Sequence, residues 1–513
     1  MSEILLSTLN ARYAHAALGL RYLHASLGAL SPRAEIQEFV IGQKTEDLVE
    51  RILLNRPTVL GLGVYIWNVE ESTRLVAQLK VVAPELIIVL GGPEVSYEIA
   101  GQRICELADF VITGWGELSF AALCAALLND EWPSDKVIKG IQAPLDRLPL
   151  PYALYTDEDV QKRYVYVEAS RGCPFKCEFC LSALDKTAWP FPLPEFLSEL
   201  EGLYSRGARV FKFVDRTFNL KIDTSLQILE FFLERIKAHP RDPCFVHFEL
   251  IPDHLPDKLK AMIARFPAGT LQFEIGIQTF DEGVQTRISR RQNNALAASN
   301  IRWLRAHSQA HLHVDLIAGL PGEDISMFAA GFDQLVKLNP QEIQLGILKR
   351  LRGAPIARHT EAFALRFNPD PPYNILSTSD IDFLTFQRIS RFARYWDILA
   401  NSGRHRGTVT LLLGDAPFAN FLALSDWLWA QTKQSHALAH ERLVHLLHAF
   451  LSGPRGLPEV EVNPVLSADY RQAGGRTRLR FEAADQALPQ PRPQKARAAL
   501  PTRQARHLQG GAG

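Results

Sequence analysis

Three cysteines stand close together near the middle of the chain, at Cys173, Cys177 and Cys180. Their spacing, C-x-x-x-C-x-x-C, places three thiols on one short loop. Thiolates are the usual ligands of iron–sulfur clusters, and such a loop can bring three of them to one face of a cubane. A four-iron cubane held by three thiolates keeps one iron without a protein ligand, and an open coordination position is typical of a catalytic metal. The spacing therefore predicts a catalytic [4Fe–4S] cluster.

A structural zinc site or a chance grouping is the alternative for this trio. Structural zinc takes four ligands, usually in two separated pairs, and no second Cys or His pair at such spacing is evident in the sequence. The other cysteines stand in hydrophobic surroundings that favour buried thiols. They are Cys105, Cys124 and Cys244.

The cysteine loop follows the first strand of a region, 161–360, in which predicted strands and helices alternate. Six such units predict a partial (β/α)6 barrel of parallel strands. The predicted strands are 164–168, 210–214, 245–250, 272–277, 311–317 and 343–347, and the predicted helices are 194–205, 224–239 and 294–306. Asp215, Glu249 and Gln278 stand at the ends of three of these strands, where barrel enzymes assemble their active sites.

Residues 1–132 show the same alternation and predict an α/β domain with a Rossmann-like parallel sheet. The predicted strands are 4–8, 36–40, 59–64, 87–90 and 110–113, and the predicted helices are 18–27 and 72–82. Two glycine turns follow the fourth and fifth strands. They contain Gly91, Gly92, Pro93, Gly114, Gly116 and Glu117. Glycines at the carboxyl ends of strands let a flat ligand or a phosphate approach the backbone.

Three further segments complete the predicted domain plan. Four prolines between residues 133 and 151 predict an interdomain linker over 133–160. The aromatic-rich stretch 370–482 predicts a mostly helical C-terminal domain. Residues 486–513 carry five basic and no acidic residues, so 483–513 are expected to form a disordered basic tail.

The overall composition excludes several classes of function. The 56 basic and 56 acidic residues cancel, so no overall field attracts nucleic acid or an anionic membrane, and neither partner is expected. The N-terminus lacks the pattern of a signal peptide, and the apolar stretches are too short to span a membrane. Few cysteines, half of them in one trio, suit a reducing compartment, so a cytoplasmic location is expected.

The segment from Cys173 to Cys180, with Phe179 just before the last cysteine, resembles the defining motif of the radical S-adenosylmethionine (SAM) superfamily. The resemblance implies that the open iron binds the methionine half of SAM. Reductive cleavage of SAM then yields a 5′-deoxyadenosyl radical, which abstracts hydrogen from a substrate. In such enzymes the cofactor carries the radical chemistry, while the protein positions and shields it.

Later stretches resemble SAM-binding motifs of the same superfamily. The resemblance implies that Asp215 lies near the methionine amino group, that Gln278 reaches the ribose and that Arg290 reaches the carboxylate. Phe179, Glu249 and Asp315 are further candidates for contact with SAM, Asp315 beside a motif that packs against adenine. Three of these residues also have a structural alternative, because Asp215 and Glu249 could cap helices and Arg290 could be solvated.

The two glycine turns of residues 1–132 resemble those of the cobalamin-binding domains that precede many radical SAM enzymes. One departure is plain: the D-x-H-x-x-G motif that supplies a histidine to cobalt is missing, and His15 is the candidate to replace it. A Rossmann-like domain that has lost this ligand is the alternative. Residues 391–403 resemble the C-terminal domain of an uncharacterised branch. Bound cobalamin would imply methyl transfer to an unactivated carbon, or a related rearrangement.

Two rival functions remain open at this stage. A tRNA methylthiotransferase would need a second cysteine trio, which Cys105 and Cys124 alone do not supply. A cobalamin- or zinc-binding sensor without turnover would hold one zinc and leave SAM intact. The expected partners of the enzyme are an unidentified small-molecule or metabolite substrate and an electron donor such as flavodoxin or ferredoxin.

The cluster prediction is testable by metal analysis. Anaerobically reconstituted protein should contain about four irons and four sulfides per chain, and Cys177→Ala should abolish the visible charge-transfer absorption of the cluster. Cys244→Ala is the matched control and should keep the absorption. One zinc per chain, with no such absorption, would show that the site is structural.

Overall fold

The computed structural model describes residues 2–482 and 501–509, which form two parallel sheets and a helical C-terminal region. The first sheet has six parallel strands in the order β2-β1-β3-β4-β5-β6. They are β1 Ile4–Asn10, β2 Ala34–Val40, β3 Val59–Gly63, β4 Ile87–Gly91, β5 Phe110–Thr113 and β6 Val137–Lys139. The helices of this domain are α1 Leu18–Ala25, α2 Thr45–Leu54, α3 Val69–Val82, α4 Arg103–Leu107 and α5 Glu117–Leu127.

Both faces of this sheet are buried, because its strands are apolar at consecutive positions. Leu5 and Leu60 belong to the core on one face, and their neighbours Ile4 and Val59 belong to the core on the other. The five predicted strands are confirmed. β6 lies in the segment predicted as a linker, because this short and largely exposed edge strand carries a weak apolar signal.

The second sheet also has six parallel strands, and it ends at β14 and at β7, in the order β14-β13-β12-β11-β10-β7. The strands from here to the end of the chain are β7 Val165–Val167, β8 Ser170–Gly172, β9 Ala188–Pro190, β10 Val210–Phe213, β11 Phe245–Leu250, β12 Leu271–Gln278, β13 His311–Ala318, β14 Glu342–Ile347, β15 Arg366–Phe367 and β16 Ile375–Ser377. The predicted partial barrel is confirmed. β8 and β9 form a separate antiparallel pair that closes the base of the cysteine loop, residues 173–180.

Helices surround this barrel, and some of them begin at side chains that cap them. They are α6 Asp157–Lys162, α7 Leu193–Ser205, α8 Ile222–Ala238, α9 Asp257–Ile263, α10 Glu282–Arg287, α11 Asn294–His307 and α12 Ile325–Leu338. Asp281, Asn293 and Asp324 each accept a hydrogen bond from a backbone N–H in the first turn of α10, α11 and α12. Such caps satisfy donors that a helix cannot pair internally.

The C-terminal region is helical, as predicted, and shares one hydrophobic core with the barrel. Its helices are α13 Phe383–Trp396, α14 Arg406–Leu413, α15 Pro417–Thr432, α16 His440–Ser452, α17 Glu459–Gln472 and α18 Thr502–Gln509. Among the residues described, no single helix is long and apolar enough to cross a membrane. Only α14 and α15 meet that test of length and composition together, and they are bent by 111° at their junction.

The helix α18 corrects part of the prediction of a disordered tail over 483–513. It covers the end of the barrel opposite the cysteine loop, where Arg503 pairs with Glu342 at 3.1 Å and Gln504 donates to Gln272 at 2.8 Å. Polar pairing of this kind leaves no apolar periodicity in the sequence. Residues 483–500 and 510–513 lie outside the described part of the chain.

Asn401 joins the C-terminal region to the barrel and offers a test of this packing. Its side chain accepts from the Ile343 N–H and donates to the Ile343 carbonyl, both at 2.9 Å. Asn401→Ala should lower the free energy of unfolding by about 2 kcal/mol or more, because both buried backbone groups lose their partner. Denaturant unfolding measures the change, and Leu384→Ala at an exposed position should leave stability nearly unchanged. Equal stability of the parent and Asn401→Ala would contradict this account of the junction.

Candidate functional site

A cavity of about 280 Å³ opens at the carboxyl ends of strands β10 to β13. All three cysteines of the loop line it, together with all but one of the residues predicted to contact SAM. These lining residues are Cys173, Cys177, Phe179, Cys180, Glu249, Gln278, Arg290 and Asp315. The barrel therefore brings together residues that lie more than a hundred positions apart in the sequence.

Asp215 is the predicted residue that the structure places elsewhere. Its carboxylate accepts hydrogen bonds from the Ala169 N–H at 2.9 Å and from the Ser170 hydroxyl at 2.6 Å. Burial raises the pKa of Asp215 to about 7. This corrects the prediction that Asp215 lies near the methionine amino group. Its side chain turns away from the cavity because it fastens β8, the strand that leads into the cysteine loop.

The donors in the cavity fit a cluster that has one open iron. Burial raises the pKa of the Cys173 thiol to about 11, so a nearby positive charge, such as that of bound iron, is needed to hold it as thiolate. Among the described residues, no three His, Cys, Asp or Glu side chains are placed to hold one metal ion. Zinc requires its ligands to converge on one point, whereas in a cubane each thiolate binds a different iron. This arrangement favours the cubane.

Strained backbone aims two side chains at the same cavity. Gln278 and Ser289 have φ values of +70° and +55°, which residues with a Cβ rarely adopt outside functional sites. At Gln278 the pairing of β12 with β13 shifts register, and the buried Oε1 of Gln278 has no hydrogen-bond partner among the described residues. Ser289 precedes Arg290, whose guanidinium donates to the Gly276 carbonyl and lies 3.4 Å from the Cys177 Sγ. A ligand hydroxyl would satisfy Gln278 Oε1, as expected for a ribose.

Four carboxyl groups line the cavity, those of Glu249, Asp253, Glu274 and Asp315, and their electrostatics favour a cationic ligand. Burial, followed by the charges of Glu274 and Glu249, raises the pKa of Asp315 well above its usual range. Burial also raises the pKa of Glu249, although the Arg216 guanidinium at 3.0 Å opposes this effect. A ligand with ammonium and sulfonium groups, as SAM has, would relieve this crowding of negative charge.

Sequence reasoning missed Glu274, Arg216 and Arg291 as lining residues. The signal for Glu274 was available, because side chains two positions apart share one face of a strand. Glu274 therefore faces the same side of β12 as Gly276, which lines the cavity. It accepts a hydrogen bond from the His247 ring at 3.1 Å. No comparable pattern marks the two arginines, which stand in loops.

Glu178 holds the cysteine loop from within. Its buried carboxylate lies 2.5 Å from the donating Ser289 hydroxyl, 2.8 Å from Arg358 Nε and 2.9 Å from His359 Nε2. Its backbone N–H and carbonyl are bonded to the segments that carry these same partners. Because Ser289 precedes Arg290, Glu178 joins the cysteine loop to the turn that carries Arg290.

A second cavity of about 250 Å³ lies at the carboxyl edge of the first sheet. The glycine turns line it, as predicted, through Gly91, Gly92, Gly114, Gly116 and Glu117. Its deeper wall is apolar and comes from α1, α5 and the strands between them. That wall includes Leu20, Leu23, Val89, Ile112 and Phe120. This edge of a doubly wound sheet is where ligands bind in such folds.

The glycines of this cavity fit a large, flat ligand. Gly92 has a φ of +111°, and a Cβ there would lie 2.4 Å from the Val64 carbonyl oxygen. A Cβ at Gly114 would meet nothing within 4 Å, and one at Gly91 would approach only the Ile112 carbonyl oxygen, at 3.9 Å. The space in front of Gly91 and Gly114 is therefore free for a ligand. A corrin and its nucleotide tail match the combination of open glycine backbone and apolar wall.

Pro93 and His15 do not line this cavity. Pro93 begins a short helical turn that leads away from Gly92. His15 instead lies against β7 of the barrel, with its Nδ1 2.6 Å from the Tyr166 hydroxyl. The structure thus gives His15 a packing contact, and within the described part of the chain no histidine lines this cavity.

The cysteines of the first domain form no second trio. Cys105 belongs to the core on one face of the first sheet, whereas Cys124 belongs to the core on the other face. Both are buried, and burial raises the pKa of each thiol. Within residues 2–482 and 501–509 this removes the support that a methylthiotransferase would require.

Comparison with known families agrees with these two sites. Residues 5–124 match the model of the B12 binding domain, 167–335 match that of the Radical SAM superfamily, and 361–504 match a protein of unknown function, DUF4080. The chain combines a B12-binding domain with a radical SAM domain. The predicted cofactors, a [4Fe–4S] cluster, SAM and cobalamin, are confirmed at the level of these domains.

The individual relatives of this chain are distant in sequence. The cobalamin-dependent radical SAM methyltransferase TokK of Streptomyces tokunonensis is 26% identical over 370 residues, which cover 65% of this chain and 53% of that protein. The chain spans about half the length of the curated relatives it matches.

Two solved structures share its fold. One, with a TM-score of 0.61 and 13% identity, is the cobalamin-dependent SAM radical enzyme OxsB, with coverage of 91% of this chain and 83% of that chain. The other, with a TM-score of 0.54 and 16% identity, is the radical SAM methyltransferase TsrM of Kitasatospora setae, with coverage of 69% and 75%.

Gln278 and Arg290 line the SAM cavity, whereas Asp215 does not, and this contrast gives a paired test of the SAM site. Gln278→Ala and Arg290→Ala should each weaken SAM binding by about 10- to 100-fold, the loss expected for one strong hydrogen bond. Both should keep the cluster absorption, since neither is an iron ligand. Asp215→Asn should bind SAM like the parent. Calorimetry measures the affinities, and a strong loss in Asp215→Asn alone would reverse this assignment.

Proposed function

We propose that this radical SAM enzyme catalyses a cobalamin-dependent methyl transfer to an unactivated carbon of a small-molecule substrate. The observation that carries the proposal is that one short strand, β8, leads from one cavity to the other. Arg171 of β8 lines the cavity of the B12-binding domain, and Cys173, two residues later, lines the cavity of the barrel. The methyltransferase relatives TokK and TsrM support the same reaction class.

When bound, the three cofactors supply a reducing electron, an organic radical and a transferable methyl group. The residues of the chain supply position and shielding. Gln278, at a strained backbone position, and Arg290, directly after the strained Ser289, orient SAM, so little reorganisation is needed on binding. Glu249 and Asp315 face its cationic groups. The apolar wall around Leu20 and Phe120 excludes water from the other cavity.

A low-potential electron donor, such as a flavodoxin or ferredoxin, completes the proposal. The half-buried Cys177 and Cys180 lie closest to solvent within the cysteine trio. We propose a cytoplasmic location, which would keep such a cluster reduced and intact.

Transfer of an isotopic label tests the methyl half of the reaction without a known substrate. Reconstituted protein, incubated with a strong reductant and SAM carrying a deuterated methyl group, should release 5′-deoxyadenosine and accumulate deuterated methyl on the extracted cobalamin. Mass spectrometry measures both products. Release of 5′-deoxyadenosine with unlabelled cobalamin would contradict methyl transfer and favour a rearrangement.

The B12 cavity has its own test. Gly91→Leu should abolish retention of cobalamin, because its side chain would enter space that is open in front of the backbone. The iron content should stay at the parent's level, since the barrel does not depend on this position. Gly202→Leu, at an open and exposed position of α7, is the matched control. Full cobalamin retention by Gly91→Leu would show that the ligand binds elsewhere.

A further inference from the structure

Arg171 belongs to the barrel but lines the cavity of the B12-binding domain. It lies in β8, two positions before Cys173, and its side chain crosses to the other domain. There its Nη1 lies 2.5 Å from Glu117 Oε1, and its Nη2 lies 2.5 Å from Glu168 Oε1 of its own domain. The guanidinium is therefore held by one carboxylate from each domain.

Aromatic rings also pack against this guanidinium. Its central carbon lies 4.7 Å from the ring centre of Trp115 and 4.8 Å from that of Tyr22, both from the B12-binding domain. A planar guanidinium held by two carboxylates and stacked on aromatic faces has little freedom to move alone. A shift of Trp115 or Glu117 must therefore shift Arg171 as well.

The backbone between Arg171 and Cys173 is equally constrained. β8 pairs with β9, and Gly172, the last residue of β8, has a φ of +96°. A Cβ at Gly172 would lie 2.4 Å from the Thr187 carbonyl oxygen, so the two strands are too closely packed to admit a side chain there. Trp189 of β9 meets Trp115 edge-on, with ring centres 5.8 Å apart. The base of the cysteine loop thus rests on Trp115 through both of its strands.

We propose that Arg171 is a positioning residue through which a ligand in the B12 cavity sets the geometry of the cysteine loop. Trp115 and Glu117 flank Gly116, and all three residues line the cavity, so a ligand there contacts both partners of Arg171. The inference rests on the proposed function, because it takes that ligand to be cobalamin. We therefore expect cobalamin bound in this cavity to stabilise the cluster in the cavity of the barrel.

Protection of the cluster from a chelator tests this coupling. The reconstituted full chain is exposed to an iron chelator with and without bound hydroxocobalamin, and the rate of iron loss is measured. Cobalamin should slow iron loss by at least about fivefold in the parent, the lower end of usual coupling between sites. In Arg171→Gln, cobalamin should slow iron loss by less than about twofold. Arg171→Lys, which lacks the planar fork, should lie between the two.

A matched control separates this effect from general contact between the domains. Arg350 also crosses between the domains, to Glu98 at 2.9 Å, but it does not line the B12 cavity. Arg350→Gln should keep the full protection factor. If Arg171→Gln takes up no cobalamin, Glu168→Gln provides the same test, because it loosens Arg171 without altering the cavity lining; its protection factor should be at most half the parent's.

The outcomes distinguish this inference from the proposed function. A parent that takes up no cobalamin contradicts the proposed function. A parent that takes up cobalamin without any protection of the cluster contradicts the coupling alone. Equal protection in the parent and in both Arg171→Gln and Glu168→Gln would assign the coupling to other contacts and overturn the role of Arg171.

Discussion

The loop that carries the three cysteines must hold its thiols at fixed positions, although residues 173–180 contain no regular strand or helix. Two constraints do this work. The pairing of β8 with β9 closes the loop at its base. Glu178 fixes it from within, through hydrogen bonds to Ser289, Arg358 and His359. A buried carboxylate costs free energy unless it is fully paired, so these bonds commit the loop to one arrangement. The position of Arg290 depends on the same bonds.

Polar contacts join the two domains alongside the apolar contact of Trp115 with Trp189. Arg21 of α1 pairs with Glu38 and with Asp159 of the barrel, both at 2.7 Å, and all three side chains are buried. On the other side of the interface, Glu94 accepts from Arg352 and from the Tyr373 hydroxyl. Buried, geometrically specific pairs of this kind fix register between surfaces more than they add stability. They keep the carboxyl edges of the two sheets, and thus the two cavities, side by side.

Much of the fold and of the site could be predicted from the sequence, because the signals were local. Apolar runs located the parallel strands, and the spacing of Cys173, Cys177 and Cys180 located the cluster loop. Asp215 could not be placed in this way, since hydrogen bonds to Ala169 and Ser170, formed only in the folded barrel, decide where its side chain points. The helix α18 was missed because its contacts with the barrel are polar and long-range, and β6 because it is a short edge strand.

The proposed arrangement places a cluster and a cobalamin on either side of a single short strand, β8. The most direct measurement is electron spin relaxation of Co(II) cobalamin in the fully loaded protein, with the cluster first oxidised and then reduced. Two paramagnetic centres on opposite sides of one short strand interact magnetically. The cobalt signal should therefore relax faster when the cluster is reduced, and its relaxation should not change in Cys177→Ala. A cobalt signal whose relaxation is the same in both states of the cluster would contradict it.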